Sequence, residues 1–433
     1  MSAPTHTRTR PTTAKKATKA DGATTARATG GRVSTMLGRT NLDLSQPFAD
    51  DPLPRGRGRR LAATKPPGRR SSSFLTLLSL MLVLNLIGLA MVLSASSVTS
   101  LEDYGSPWYQ FFRQLMWFGI GSVAVVLTMR RDYRRWRNRS GTALIVVMVM
   151  LFLVLVPKVG MQSNGATRWL GYGPVSIQPS EIAKLALIVF WADLLARRAK
   201  WITEARLTVI PVFVTFLLVA GLIMKQPNLG TTMILFCIML AMLFVGGAGM
   251  GWIGGIFGGG VGAGAMFAIL SPWRWARLMA FMDPWQDAQG KGYQPIEAQT
   301  AVANGGLTGT GLGQGRSKYG FLPEAHTDFI YSVIAEETGF LGGILLITLF
   351  LVFGVVGIRV AMKAPDRFGM LLATGITTWI LVQAFLNIGQ AVGRLPVMGV
   401  PLPFVSSGGS SLVVTMIAAG MLLNVARQTH PGP

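Results

Sequence analysis

The feature that most limits this chain's fold is a series of ten apolar runs, each close to the roughly 20 residues a helix needs to cross a bilayer. They lie at about 74–95, 111–129, 142–157, 181–197, 207–224, 229–247, 250–270, 329–360, 369–391 and 406–425. The third is short, and the eighth is long enough to tilt or to include an interfacial part. Only 13% of the 433 residues are charged, against about 25% in a soluble domain. The expected fold is therefore an all-α polytopic membrane protein with ten transmembrane helices. The single cysteine, Cys237, lies inside an apolar run, so neither a disulfide framework nor a Cys-based metal site is available.

The net charge of +22 is unevenly spread: residues 1–72 hold 15 Lys/Arg and 4 Asp, a net of +11. This segment is rich in Thr, Ala, Pro, Gly and Arg and cannot bury a core, so it reads as a disordered basic tail. No aromatics interleave with its basic residues, which argues against nucleic acid and for the anionic cytoplasmic leaflet as its partner. It also lacks the layout of a signal peptide. The membrane domain then occupies 73–427, followed by a short cytoplasmic tail, 428–433.

Orientation follows from the basic connections. Segment 130–141 has six Arg; 197–206 adds Arg197, Arg198, Lys200 and Arg206; 359–368 adds Arg359, Lys363 and Arg367. With ten spans all three fall on the side of the tail, so both termini are cytoplasmic. The one long connection, 271–328 between runs seven and eight, is then extracytoplasmic. It balances five basic with five acidic residues and carries Trp273, Trp275, Trp285, Tyr293 and Tyr319, a density that suits interface anchoring or a sugar-stacking groove.

Ionisable residues within or at the ends of spans are costly in lipid and usually functional. Glu181, Lys184, Asp328 and Glu336 qualify. Glu181 and Lys184 share a helix face, either as a self-satisfying local pair or with Lys184 turned to a central cavity and an acid of another helix. On one helix Asp328 and Glu336 would lie about 12 Å apart and within a quarter-turn, with Glu337 on the opposite side. Asp328 at the outer mouth of a span suits a raised pKa and general-base work; it suits a helix cap equally well. His326 has no matching Ser nucleophile or ligand cluster, so it reads as structural or substrate-contacting. The glycines of 304–318 lack the GxxxxGK[ST] pattern of a nucleotide cradle, while Arg316 and Lys318 allow contact with a lipid-linked pyrophosphate.

The run GYQPIEAQTAVANGGLTGTGLGQGRSKYGFLPEAHTDFIYSVIAEETGFLGG (292–343) resembles the SEDS family of FtsW and RodA. So do NGATRWL (164–170), IQPSEIAKL (177–185), KQPNLGT (225–231) and GVPLPFVSSGGSS (399–411), in family order. The resemblance implies a peptidoglycan glycosyltransferase that polymerises lipid II into β-1,4 glycan strands on the outer face of the cytoplasmic membrane. In such an enzyme the acceptor's GlcNAc 4-hydroxyl attacks C1 of the donor MurNAc and undecaprenyl pyrophosphate leaves.

Asp328 matches the family's essential aspartate, which implies the general base. Lys184 matches the span-four lysine, expected to approach that aspartate and help hold its charge or the diphosphate. Arg168 matches the loop arginine of the RWL motif, a candidate diphosphate contact. Glu181, Gln294, His326 and Glu336 match recurrent positions and join Arg316 and Lys318 as substrate-binding candidates. No dedicated metal site is visible, so a divalent cation, Mg or Mn, would enter with the substrate diphosphate.

By analogy the partners are a class B penicillin-binding protein and other division proteins at the septum of the inner membrane. The long basic tail is more like actinobacterial FtsW than a RodA-type elongation polymerase. Two positions depart from the family pattern: Asn228 stands where Asp is common, and Ser407 where Tyr is usual. A lipid II flippase is the competing function. It would want polar groups at the midplane, whereas here they gather at the outer ends of spans. A non-catalytic scaffold would leave Asp328 and Lys184 without a purpose.

Overall fold

The computed structural model describes residues 71–429, apart from 164–165, 173–174 and 203. The expected basic tail lies outside the described residues except for Ser71 and Ser72, as do 430–433 of the C-terminal tail.

Helices form where the apolar runs predict them. The first group is α1 (Ser72–Tyr104), α2 (Tyr109–Arg130), the short α3 (Arg134–Arg137), α4 (Ser140–Val154), α5 (Pro179–Arg197), α6 (Val209–Lys225), α7 (Leu229–Gly246) and α8 (Met250–Ile269). The second is α9 (Pro272–Met282), α10 (Tyr293–Asn304), α11 (Ile330–Met362), α12 (Arg367–Ala391) and α13 (Gly409–Gln428). Among the described residues, α1, α2, α7, α8, α11, α12 and α13 are long and apolar enough to cross a membrane, and α4 and α6 are apolar but shorter. This is a multi-pass membrane architecture.

Helix α5 is the exception that matters. It is 19 residues long yet carries Glu181, Lys184, Asp193 and Arg197. Lipid would reject that composition, and α5 avoids lipid by packing among α4, α7, α12 and α13. Pro179 opens it at a position where no amide is needed. Other starts are set by side chains that accept the first free amides: Ser71 from Phe74, Asn228 from Thr231 and Asp366 from Gly369. Asn228 thus keeps the cap that an Asp would make and drops only its charge.

Three features depart from the expectation. First, the segment between α4 and α5 is a three-stranded antiparallel sheet: β1 (Gly160–Ser163), β2 (Ala166–Tyr172) and β3 (Val175–Ile177), in that order. The register slips between Met161 and Gln162, which face Trp169 and Thr167, so Arg168 falls at the bulge. A bulge re-aims the side chain it carries.

Second, the connection 271–328 is built rather than loose: α9 and α10 lie within it, joined by a single turn at Pro284–Asp287. Third, α11 does not run on as one straight rod, and Asp328 stands before it rather than on it. The helix breaks at Gly339 (φ 70°, ψ −170°), where the glycine loop 305–311 crosses its backbone. Phe340 and Leu341 amides donate to the Gly306 and Leu307 carbonyls at 2.9 and 3.3 Å, which satisfies the groups the break frees. A Cβ on Gly339 would stand 2.6 Å from the Leu307 oxygen. Gly339→Ala should therefore lose on the order of 1–3 kcal/mol from strain alone, read as a lower melting temperature in detergent; an unchanged melt would mean the loop can move aside.

Candidate active site

Asp328 sits in the turn that delivers the chain to α11. The Glu324 carbonyl gathers the amides of Thr327, Asp328 and Phe329 at 3.1, 3.1 and 3.3 Å, with Glu324 itself at φ 57°. Helix α11 starts at Ile330 with no side-chain cap, so the Asp328 carboxylate is not engaged as one. Its backbone is clamped from the other side: the Asp328 carbonyl accepts from Asn387 Nδ2 at 2.8 Å and Gln390 Nε2 at 2.9 Å.

Those amides belong to a polar row on α12. Gln383, Asn387 and Gln390 repeat at helical spacing and fasten the segment 398–401: Gln383 Nε2 to the Pro401 carbonyl, Asn387 Nδ2 to that of Val400, and the Met398 amide to Gln390 Oε1. Between them, Gly399 turns at φ 67° and keeps its Cβ position 3.5 Å from Asp328 Oδ2. All three row residues are buried. Gln390→Ala would remove a donor from Asp328 and an acceptor from Met398, a loss of about 1–3 kcal/mol. The expected result is slower turnover at the site with a modestly lower melt, and full activity would show that Asn387 alone holds the turn.

Charge converges on the carboxylate from two arginines. Arg168, aimed by the β2 bulge, donates to the carbonyls of Gln226 at 3.0 Å and Pro227 at 2.7 Å. Arg277 on α9, which the sequence reading did not single out, lies within Coulombic reach of both Asp328 and Arg168. Half-buried Asp328 has its pKa raised from the ordinary 3.8 to about 7. Burial is the main cause and nearby Glu324 adds to it, while Arg168 and Arg277 pull the other way. The result is a carboxyl group poised to exchange a proton near neutral pH. Arg277 and Gln294 also line a cleft with Lys291, Gln299 and Leu395. His326, two residues upstream, is pushed below the usual imidazole value by burial, against Glu324 and Asp103; its carbonyl accepts from the Ser407 amide at 2.9 Å.

The remaining candidates stand elsewhere. Lys184 does not reach Asp328. It pairs with Glu181 at 2.8 Å, donates to Gln383 Oε1 at 2.7 Å and lies 4.7 Å from the Trp379 ring centre, with no exposure to solvent. Glu181 also accepts from Ser411 at 2.9 Å. The local pair, one of the two readings of these residues, is what forms, and its link to Asp328 runs through the α12 row.

Glu336 and Glu337, on different sides of α11, are both buried, because the glycine loop wraps the start of α11 on one side and α1 on the other. Glu336 accepts from the Arg316 and Ser317 amides at 2.9 and 3.2 Å and from the Ser317 hydroxyl; Glu337 accepts from the Gly313 amide at 3.0 Å and Ser94 at 2.5 Å. Glu336 is thus occupied as an anchor of the loop. Lys318 is buried and donates to the Gly313 carbonyl, whereas Arg316 is exposed.

The family model described as "Cell cycle protein", which covers FtsW, RodA and SpoVE, matches residues 74–431. The chain belongs to this family. Stage V sporulation protein E of Bacillus subtilis is 42% identical over 368 residues, covering 84% of this chain and 99% of that protein. The probable peptidoglycan glycosyltransferase FtsW of Mycobacterium tuberculosis is 38% identical over 360 residues, 83% of this chain and 69% of that one. Among solved structures, a chain from a peptidoglycan synthase complex described as coordinating polymerization and crosslinking superposes with a TM-score of 0.68 at 29% identity, covering 81% of this chain and 96% of its own. The rod shape determining protein RodA of Thermus thermophilus follows at 0.61 and 27%, covering 82% and 97%. The FtsW/RodA/SpoVE fold therefore carries the Asp328 site.

Proposed function

We propose that the chain is a peptidoglycan glycosyltransferase of the FtsW type, polymerising lipid II, with Asp328 as general base. The observation that carries this reading is the Asp328 carboxyl group, half-buried before α11 within Coulombic reach of Arg168 and Arg277, its pKa raised to about 7. The acceptor's GlcNAc 4-hydroxyl gives its proton to Asp328 as its oxygen forms the bond to C1 of the donor MurNAc. The C1–oxygen bond to undecaprenyl diphosphate breaks, and the diphosphate departs with the electron pair. Arg168 and Arg277 stand where they can offset that negative charge. Gln294, which lines the cleft beside Arg277, and His326, two residues before Asp328, serve in this reading as substrate contacts, and exposed Arg316 is available to the lipid-linked diphosphate. Glu181, Lys184, Glu336 and Lys318 act through the scaffold that positions these groups.

Among the described residues no group of three or more His, Cys, Asp or Glu side chains is placed to hold a metal ion. A divalent cation, Mg or Mn, belongs in this reading to the substrate diphosphate.

With α4, α5 and α6 counted, the membrane frame has ten spans, and the connection 271–328 is extracytoplasmic. Both termini are then cytoplasmic by the placement of the basic connections. The partner is a class B penicillin-binding protein that crosslinks the strands, with other division proteins at the septum. The test is synthesis of glycan strands from lipid II by the purified protein with that transpeptidase, crosslinking being blocked by a β-lactam. Long strands are expected; no strands, with lipid II instead crossing vesicle membranes, would replace the polymerase by a flippase.

A further inference from the structure

Five of the six arginines of 130–141 fall into two groups with different fates. Arg134 and Arg137 are consumed internally: Arg134 Nη2 pairs with Asp366 at 2.7 Å and Arg137 Nε with Asp193 at 3.0 Å. These pairs, with the Tyr133 hydroxyl bonded to Asp366, lock α3 against α5 and the start of α12. Arg131, Arg135 and Arg139 are exposed, and among the described residues no acidic side chain lies within ion-pair distance of them. They do not scatter into solvent. Together with Trp136 and Asn138 they enclose a pocket of about 340 Å³, within the range of roughly 300–1,000 Å³ typical of ligand sites. Trp136 is half-buried with its ring packed on the core, which makes the floor rigid.

The pocket's place in the fold identifies what fills it. It lies between the end of α2 and the start of α4. Helix α4 runs from Ser140 to Val154, about 22 Å along its axis, and hands the chain to the sheet that carries Arg168. The pocket therefore sits at the membrane face opposite Asp328. Three guanidinium groups, an amide and an interfacial Trp on a helix connection at that level match a phosphate ester held at headgroup depth. We propose that this pocket binds the phosphate headgroup of an anionic glycerophospholipid of the inner leaflet.

The test uses the full chain in nanodiscs of phosphatidylcholine containing phosphatidylglycerol, extracted into detergent, with retained lipid read by native mass spectrometry. Wild type should retain phosphatidylglycerol in preference to phosphatidylcholine. Arg131→Gln/Arg135→Gln/Arg139→Gln should lower that retention on the order of a hundredfold, and Arg135→Gln alone by about fivefold, the single variant serving if the triple melts early. Arg206→Gln/Arg359→Gln/Lys363→Gln removes equal charge from exposed positions on the same side and should retain the lipid. Equal loss from this control would reduce the effect to net charge and overturn the proposal. Unchanged retention in the pocket variants would overturn it as well, and so would displacement of the lipid by inorganic phosphate alone, which would make the site a free-phosphate site.

Discussion

Purified Asp328→Asn protein, folded and assayed with the proposed transpeptidase partner, is expected to make no detectable glycan strands from lipid II, and Asp328→Ala none either. Loss of a positioned base removes roughly a hundred- to ten-thousand-fold of rate. The pH profile gives the same conclusion without a mutation. In the proposed role Asp328 must be ionised to accept the acceptor proton, and its pKa is raised to about 7. Wild-type rate should therefore climb through neutrality and level off above it. One unit below that value only about a tenth of the molecules carry the reactive anion.

Stability should move the other way. Between the ordinary 3.8 and about 7 the folded state holds a proton that the unfolded chain has released, so this group makes the protein less stable as pH rises through that window. Asn removes that liability, so Asp328→Asn should melt no lower than wild type at neutral pH. A variant that is inactive yet equally or more stable separates a catalytic group from a structural one. Strand synthesis at the wild-type rate would return Asp328 to a structural role.

Much of the frame was legible because lipid imposes a simple rule: every backbone polar group must be satisfied within a helix, so apolar runs translate directly into helices. Asp328 was legible too, as an acid at the mouth of a long run. What surrounds it was less so, for identifiable reasons. Arg168 sits on strands three to seven residues long, too short for alternation to stand out, and its direction depends on a register slip that only pairing reveals. Arg277 lies on an amphipathic segment whose tryptophans read as interface anchors, which masks a charge aimed at the site. The row Gln383, Asn387 and Gln390 did carry a signal: polar residues at i, i+4 and i+7 on an otherwise apolar span form one face. The burial of Glu337 was not legible, because a helical wheel gives its side of the helix but not that a loop and α1 cover it.

The largest expected effect on folding concerns the pair on α5. Glu181 and Lys184 are 2% and 0% exposed and 2.8 Å apart, with Ser411 and Gln383 as further hydrogen-bond partners. Truncating one member leaves the other charge buried without its partner, at a cost of about 3–5 kcal/mol, a large share of the 5–15 kcal/mol that typically holds a domain together. Glu181→Ala should accordingly melt far below wild type in detergent. Glu181→Leu/Lys184→Met removes both charges and should recover most of the loss, because a well-packed apolar pair does as well as a buried ion pair.

The double variant should still polymerise more slowly than its stability suggests, by on the order of ten- to a hundredfold. Gln383 would keep Trp379 but lose Lys184 as a donor, and with it part of the orientation that fixes Pro401 and, through Asn387, the Asp328 turn. A double variant as unstable as Glu181→Ala would mean that packing around α5, rather than charge pairing, governs the site. One that is stable and fully active would mean that the α12 row holds Asp328 without help from Lys184.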